Sequence, residues 1–203
     1  MQNDQQLYEL ARQRKGRIVL ILMLTFFAVP LMVVMLMFKF NWMPTGESVG
    51  ELVRPARLLN TTSDLKDDAG ATLPSQFWRE KWSVVYIADN CQAVCLGKLH
   101  DMRQLHVSLY KDMERAQRVL ITAQQDTSSI KRDYPDLIIL NQPVENIAKF
   151  TQQFQVNNEN VYSSNRLYLV DPLGHLMMSY QPQLPLATVR KDVTRLLRFS
   201  WAG

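Results

Sequence analysis

Residues 82–95 read Trp82-Ser83-Val84-Val85-Tyr86-Ile87-Ala88-Asp89-Asn90-Cys91-Gln92-Ala93-Val94-Cys95. All but one of the first six are β-branched or aromatic, the pattern of a buried strand. Ala88-Asp89-Asn90 then reads as a turn. From Cys91 apolar side chains recur at helical spacing, through Cys95, Leu99, Met102, Leu105 (or His106), Leu109 and Met113. The stretch therefore predicts a strand that turns directly into a helix, with the chain's only two cysteines at the junction. A C-x-x-x-C spacing puts both sulfurs on one face, one helical turn apart. At a helix start the free N–H groups and the dipole favour a thiolate. As a static cross-link so small a loop contributes only about 2 kcal/mol, less than a bridge between distant segments. A functional thiol pair and a static disulfide are the two readings of Cys91 and Cys95, and the position favours the first.

Downstream, Arg118–Ala123 reads as a second strand and Leu137–Leu140 as a short third. Val144–Phe154 is an amphipathic helix with Ile147, Phe150 and Phe154 inward. Arg166–Val170 is another strand, and Asp171-Pro172-Leu173-Gly174 places Pro and Gly as a β-turn wants them. His175–Tyr180 returns as the partner of a hairpin. Thr188–Phe199 closes with a helix carrying Val189, Val193, Leu196 and Leu197 on one face. The early strand–helix–strand alternation implies a parallel crossover, and the late hairpin adds antiparallel strands. The expected fold is α/β, a thioredoxin-like mixed sheet with flanking helices over 76–203.

Upstream, Ile18–Phe38 is a run of 21 residues without a charge, broken only by Thr25 and Pro30. As a helix it spans about 31 Å, the thickness of a hydrocarbon core. A cleavable signal peptide would need a shorter run and a small-residue cleavage site, which Lys39-Phe40-Asn41-Trp42 does not offer. Arg12, Arg14, Lys15 and Arg17 precede the run and Lys39 alone closely follows it. By the positive-inside rule 1–17 is a cytoplasmic tail, 18–38 a single transmembrane helix, and everything after Lys39 lies outside the cytoplasm. Phe40 and Trp42 suit the interfacial aromatic belt. Met23, Met32, Met35 and Met37 read as lipid-facing or packing side chains. Residues 39–75 read as a tether followed by a weak hairpin.

The 203 residues are 47% apolar and 21% charged, which allows one domain plus this appendage and excludes long disorder. The net charge is +4, and the tail's four basic against two acidic residues (Asp4, Glu9) supply half of it. The basic balance is thus no argument for a nucleic-acid partner. There is no Gly-rich phosphate loop, no G-x-S-x-G elbow and no H-E-x-x-H, so hydrolase and nucleotide-binding functions have no support.

The strand Trp82–Ile87 followed by Cys91-Gln92-Ala93-Val94-Cys95, Leu99 and a long helix resembles the Sco/SenC group of cytochrome c oxidase assembly proteins. So does the hairpin Leu167–Gly174. The resemblance covers roughly residues 50–200. Met102-Arg103-Gln104, Lys111-Asp112 and Arg115–Ile121 look closer still to a subgroup of small transmembrane proteins associated with bacterial cytochrome oxidase genes. It implies a thioredoxin-like domain anchored in the bacterial inner membrane and facing the periplasm. It also implies copper as the metal, with Cys91 and Cys95 as ligands, and oxidase subunit II or other assembly factors as partners.

Copper-binding Sco proteins add a histidine just before the hairpin strand. Here that stretch is Val161-Tyr162-Ser163-Ser164-Asn165, with Ser163 nearest the expected place. The implied copper site lacks its third ligand, although two thiolates suit Cu(I). Nor does proline precede Leu167, where thioredoxin-type oxidoreductases place one. His100, His106 and His175 read as solvated, packing or turn residues, and strand alternation makes at most one of Met177 and Met178 available at a site. The acidic run Asp64–Asp68 reads as a solvated loop. The leading expectation is an oxidase assembly factor acting through its C-x-x-x-C pair, metallochaperone-like rather than enzymatic, by copper delivery or by thiol maintenance of subunit II. The alternatives are a periplasmic thiol–disulfide reductase and a non-catalytic tether with a static disulfide.

Overall fold

The structure, a computed structural model, describes residues 2–40, 48–60 and 65–200. Trp42 and Asp64 lie outside them. The chain divides into two units, Met1–Glu47 and Ser48–Gly203.

In the first unit α1 runs over Gln2–Lys39, so the backbone of the expected tail is helical from its second residue. Lys15–Lys39 is long and apolar enough to cross a membrane. Nearly all of its side chains from Ile18 to Phe38 are exposed, as a helix that faces lipid requires. Thr25 donates its hydroxyl to the Ile21 carbonyl at 2.7 Å, which satisfies a polar group that lipid could not. Pro30 lies inside the helix.

The second unit is a mixed sheet with helices on both faces. Its strands are β1 (Glu51–Leu58), β2 (Lys66–Asp67), β3 (Trp82–Ala88), β4 (Ala116–Thr122), β5 (Ile138–Gln142), β6 (Leu167–Val170) and β7 (His175–Tyr180). The order is β1-β7-β6-β3-β4-β5-β2. β3, β4 and β5 are parallel, while β6 runs antiparallel to β3 and β7 antiparallel to β6. All seven residues of β3 are buried, which is why its sequence is a nearly continuous apolar run.

One face of the sheet, with Val84, Tyr86, Leu120, Leu169 and Met178, packs under α2 (Ala93–Val107) and α5 (Leu186–Phe199). α2 contributes Cys95, Leu99, Met102 and Leu105; α5 contributes Val189, Val193 and Leu197. The other face, with Val85, Ile87, Val119, Ile121 and Tyr168, is covered by Ile147 and Phe150 of α4 (Val144–Thr151), together with Phe154 and Trp78. Trp78 stacks on Phe150 with ring centroids 5.7 Å apart.

Several expectations change. The weak hairpin expected in 39–75 is confined to a tight turn over 65–73, where Lys66 bridges Thr72, while β1 pairs with β7 and β2 with β5, at opposite edges of the sheet. Val53, Leu59 and Leu65 are buried in the core, so the folded unit begins well before residue 76. Each of those short segments buries one or two apolar residues against partners about a hundred positions away, a pairing that local pattern cannot reveal. α2 ends at Val107 and Tyr110–Arg115 is a 3-10 turn, which leaves Met113 exposed rather than on the helix face. A short helix α3 (Ser128–Asp133), too brief to show periodicity, makes the crossover from β4 to β5. The register shift between β6 and β7 at Leu169/Val170 breaks the alternation of β7. Met177 and Met178 therefore both pack toward the α2–α5 side.

Candidate functional site

β3 ends at Ala88 and the chain crosses Asp89 and Asn90 to Cys91, one residue ahead of Gln92, the N-cap of α2. Cys91 is thus outside the helix and Cys95 inside its first turn. The two are joined as a disulfide, with Cα atoms 4.9 Å apart. Cys95 is 3% exposed and packs in the core beside Leu99 and Tyr86, while Cys91 is half-buried at its edge. The accessible sulfur is that of Cys91. The helix start carries no side-chain cap and no acidic residue, so its free N–H groups and positive dipole end are not neutralised by the chain itself.

The loop is held from outside its own segment. Gln124, in the connection after β4, accepts the Cys91 backbone N–H through Oε1 at 2.8 Å. Thr122, the last residue of β4, donates its hydroxyl to the Asp89 carbonyl at 2.9 Å and accepts the Gln124 N–H at 3.1 Å. Gln124 in turn donates to the Asp126 carbonyl at 2.6 Å. The Asp126 carboxyl accepts the Ser128 hydroxyl and N–H, which hold it below the usual carboxylate range. Sequence reading missed Thr122 and Gln124. The usable signal was topological, since the crevice at the C-terminal ends of adjacent parallel strands is where such sheets place their sites.

The stretch 161–165 leads into β6, whose first residue Leu167 lies opposite Tyr86 near the end of β3. It therefore belongs to the cysteine end of the sheet. Tyr86 donates its phenol to Asn165 Oδ1 at 2.9 Å, and burial pushes the Tyr86 phenol up. Ser163 is exposed and bonds only locally, to the Asn160 carbonyl at 3.3 Å. The residue before Leu167 is Arg166, which is 5% exposed. It reaches Glu159 at 2.8 Å and Glu51 at 2.7 Å. The Arg166 hydrogen bond holds the Glu159 carboxyl low, and the pairing holds Arg166 high. This cluster ties the segment to β1.

No group of three or more His, Cys, Asp or Glu able to hold a metal occurs among the described residues. His175 faces the opposite end of the sheet, because β7 starts where β3 starts; its Nδ1 lies 3.3 Å from Asp171 Oδ2. His106 places Nε2 3.0 Å from the carbonyls of Met113 and Ala116, a structural bond, and His100 is exposed. His175 therefore lies at the end of the sheet away from the cysteine pair. The acidic run is structured at Asp67 and Asp68: Asp67 accepts the Ala69 and Ala71 N–H groups, and Asp68 pairs with Lys131 at 3.6 Å.

A mixed sheet with a cysteine pair where the first central strand turns into its helix defines a thioredoxin-like protein. Residues 82–200 match the family described as transmembrane-like, thioredoxin-like, C-terminal domain, and the chain belongs to that family. Solved structures share the fold. Copper-bound ScoI of Arabidopsis thaliana is 17% identical, with a TM-score of 0.56 over 75% of this chain and 100% of that one. Apo Sco1 of Thermus thermophilus is 18% identical, with a TM-score of 0.57 over 74% of this chain and 96% of that one. BsSco, a Sco-family cytochrome c oxidase assembly protein in which a disulfide switch was identified, is 14% identical. Its TM-score is 0.54 over 73% of this chain and 99% of that one. No curated protein matches the sequence.

Proposed function

We propose that this protein is a membrane-anchored assembly factor for cytochrome c oxidase, working through the Cys91–Cys95 pair to keep the copper-receiving cysteines of subunit II reduced. The observation that carries the reading is the pair itself: an accessible Cys91 and a buried Cys95, disulfide-bonded at an uncapped helix start, with no group of three metal-binding side chains among the described residues. The Cys91 thiolate attacks the partner's disulfide, forming a mixed disulfide and releasing one partner thiolate. Cys95 then attacks the Cys91 sulfur and releases the second. The partner gains two electrons and two protons, and this chain is left as the disulfide, which a dithiol reductant of the same compartment restores. BsSco, with its disulfide switch, supports the chemistry.

Copper delivery is the second reading, supported by the copper-bound state of Arabidopsis thaliana ScoI. The donor set fits Cu(I) as cargo only when reduced, since two soft thiolates satisfy a low-coordinate ion and the disulfide offers neither. Both readings place α1 in a bacterial inner membrane, with its N-terminus cytoplasmic and the sheet domain periplasmic. A reporter fused after Gly203 that works only outside the cytoplasm is expected to be active.

The deciding experiment offers the reduced full-length protein to the oxidised copper domain of subunit II. Transfer of two thiols per molecule is expected, none from the Cys91→Ser variant, and a trapped mixed disulfide with Cys95→Ser. Cu(I) titration against a competing chelator separates the second reading; Ser163→His is expected to strengthen that binding. Failure of both assays, with a reduction potential below about −300 mV, assigns the pair to a static disulfide and overturns the proposal.

A further inference from the structure

The end of the molecule opposite the cysteines carries a surface that the thiol chemistry does not use. α5 holds four cations, Arg190, Lys191, Arg195 and Arg198, all exposed, and one carboxylate, Asp192, which is buried. Asp192 Oδ2 accepts the Ser48 hydroxyl at 2.9 Å and the Tyr180 phenol at 3.2 Å, so it faces inward and leaves the outer face purely basic. Most exposed helix faces interleave both signs for solubility; this one does not.

The four cations line a groove of about 470 Å³ with Ser108, Tyr110 and Phe199. Tyr110 is 81% exposed and Phe199 74%, two aromatic side chains that the fold itself does not bury. The patch is one rigid surface. Arg115 bonds the Leu197 carbonyl at 3.0 Å and the Ser200 carbonyl at 3.2 Å, which locks the 3-10 turn against the end of α5.

We infer that this basic and aromatic face docks on the anionic surface of a lipid bilayer. Lysine and arginine attract anionic headgroups while exposed aromatic side chains partition into the interfacial layer, and the groove supplies both together. Covalent connection favours the bilayer over a soluble partner. The candidate span ends at Lys39 and the folded unit starts at Ser48, nine positions later, a reach of at most about 32 Å. Ser48 is itself fastened to α5 through Asp192.

Docking has a consequence for the site. α2 carries the cysteines at its start and Ser108 directly after its end, so its 15 residues separate the two by about 22 Å. A domain resting on this face presents Cys91 away from the bilayer. The inference is independent of which side of the membrane the domain occupies and of whether the pair handles thiols or copper.

The full-length chain, isotope-labelled, is placed in nanodiscs of neutral phosphatidylcholine or of phosphatidylcholine with phosphatidylglycerol, each doped with a spin-labelled lipid. Amide signals of 108–113 and 190–199 are expected to broaden at least five-fold more in the anionic discs, and those of 89–95 to be spared. Arg190→Gln/Lys191→Gln/Arg198→Gln is expected to abolish the difference, as is 0.5 M salt on the unmodified chain. Where the triple variant perturbs β3 and β4 signals, the salt titration decides. Equal broadening in both discs, or broadening strongest at 89–95, overturns the proposal. So does an effect on 190–199 that appears only when a soluble protein is added, which would give the face to that protein.

Discussion

The two ends of the central sheet are both closed by turns, and they are held in opposite ways. At the hairpin end Asp171 organises its own neighbourhood: Oδ1 accepts the Leu173 N–H at 2.9 Å and the His175 N–H at 2.7 Å, and Oδ2 faces the His175 ring. Gly174 takes the positive φ of 89° that the turn requires, where a side chain would be strained. Every side-chain partner of Asp171 lies within four residues, and distant backbone adds the Leu59 N–H on the Gly174 carbonyl at 2.9 Å and the Glu80 N–H on the Pro172 carbonyl at 3.0 Å. At the cysteine end the turn from Asp89 to Cys91 is fixed by Thr122 and Gln124, over thirty positions away, and by the disulfide. A turn whose polar side chain binds within its own few residues is a structural element that forms with its strands. One whose backbone is satisfied by a neighbouring loop can shift when its covalent link opens, which suits a site that changes redox state.

The largest expected effect is at the hairpin. Asp171→Ala strips two backbone N–H groups of their acceptor and should cost about 2–3 kcal/mol in denaturant unfolding. The Cys91–Cys95 reduction potential should stay unchanged; a shift there would break the contrast by showing the two ends coupled. Replacing both cysteines by serine should cost about 2 kcal/mol relative to the oxidised chain, the entropy of closing so short a loop, while removing all thiol chemistry.

Gln124→Ala should cost about 1 kcal/mol and quicken amide exchange at Cys91, leaving exchange at Leu173 and His175 untouched. The smallest effect concerns acid. Arg118, 1% exposed near the start of β4, places Nη2 2.5 Å from Asp136 Oδ1. Partial burial pushes the Asp136 carboxyl up, but the Arg118 hydrogen bond and charge outweigh it and the net direction is down. The pair's contribution is therefore complete above the unfolded carboxylate value near 4 and is lost as pH falls through the lower folded value. Because Asp136 is 58% exposed, Asp136→Asn should flatten the acid limb of a stability–pH curve by less than about 1 kcal/mol.

The elements legible in the sequence were those that bury a continuous or periodic apolar face. β3, β4, α4, α5 and the β6–β7 hairpin fall within a few residues of their expected bounds, and α2 starts where expected but ends six residues early. The cysteine pair and the histidine-free stretch before β6 were legible too, because both are statements about residue type at a position. β1 and β2 were not read as strands of the main sheet because neither buries a periodic apolar face of its own. The parity of Met177 and Met178 failed because a bulge is set by the partner strand, here at Leu169/Val170.

By itself the sequence determined an apolar span and a buried parallel strand running into a cysteine-bearing helix. Those follow from composition and spacing along one segment. The tertiary structure alone decided that Cys91 is the open sulfur and Cys95 the closed one, and that Thr122 and Gln124 hold the loop. It also decided that Arg166 ties the 161–165 stretch to β1. The physical reason is that burial and hydrogen-bond partnership are properties of pairs, and these pairs join residues from 33 to 115 positions apart, across which no sequence window reaches.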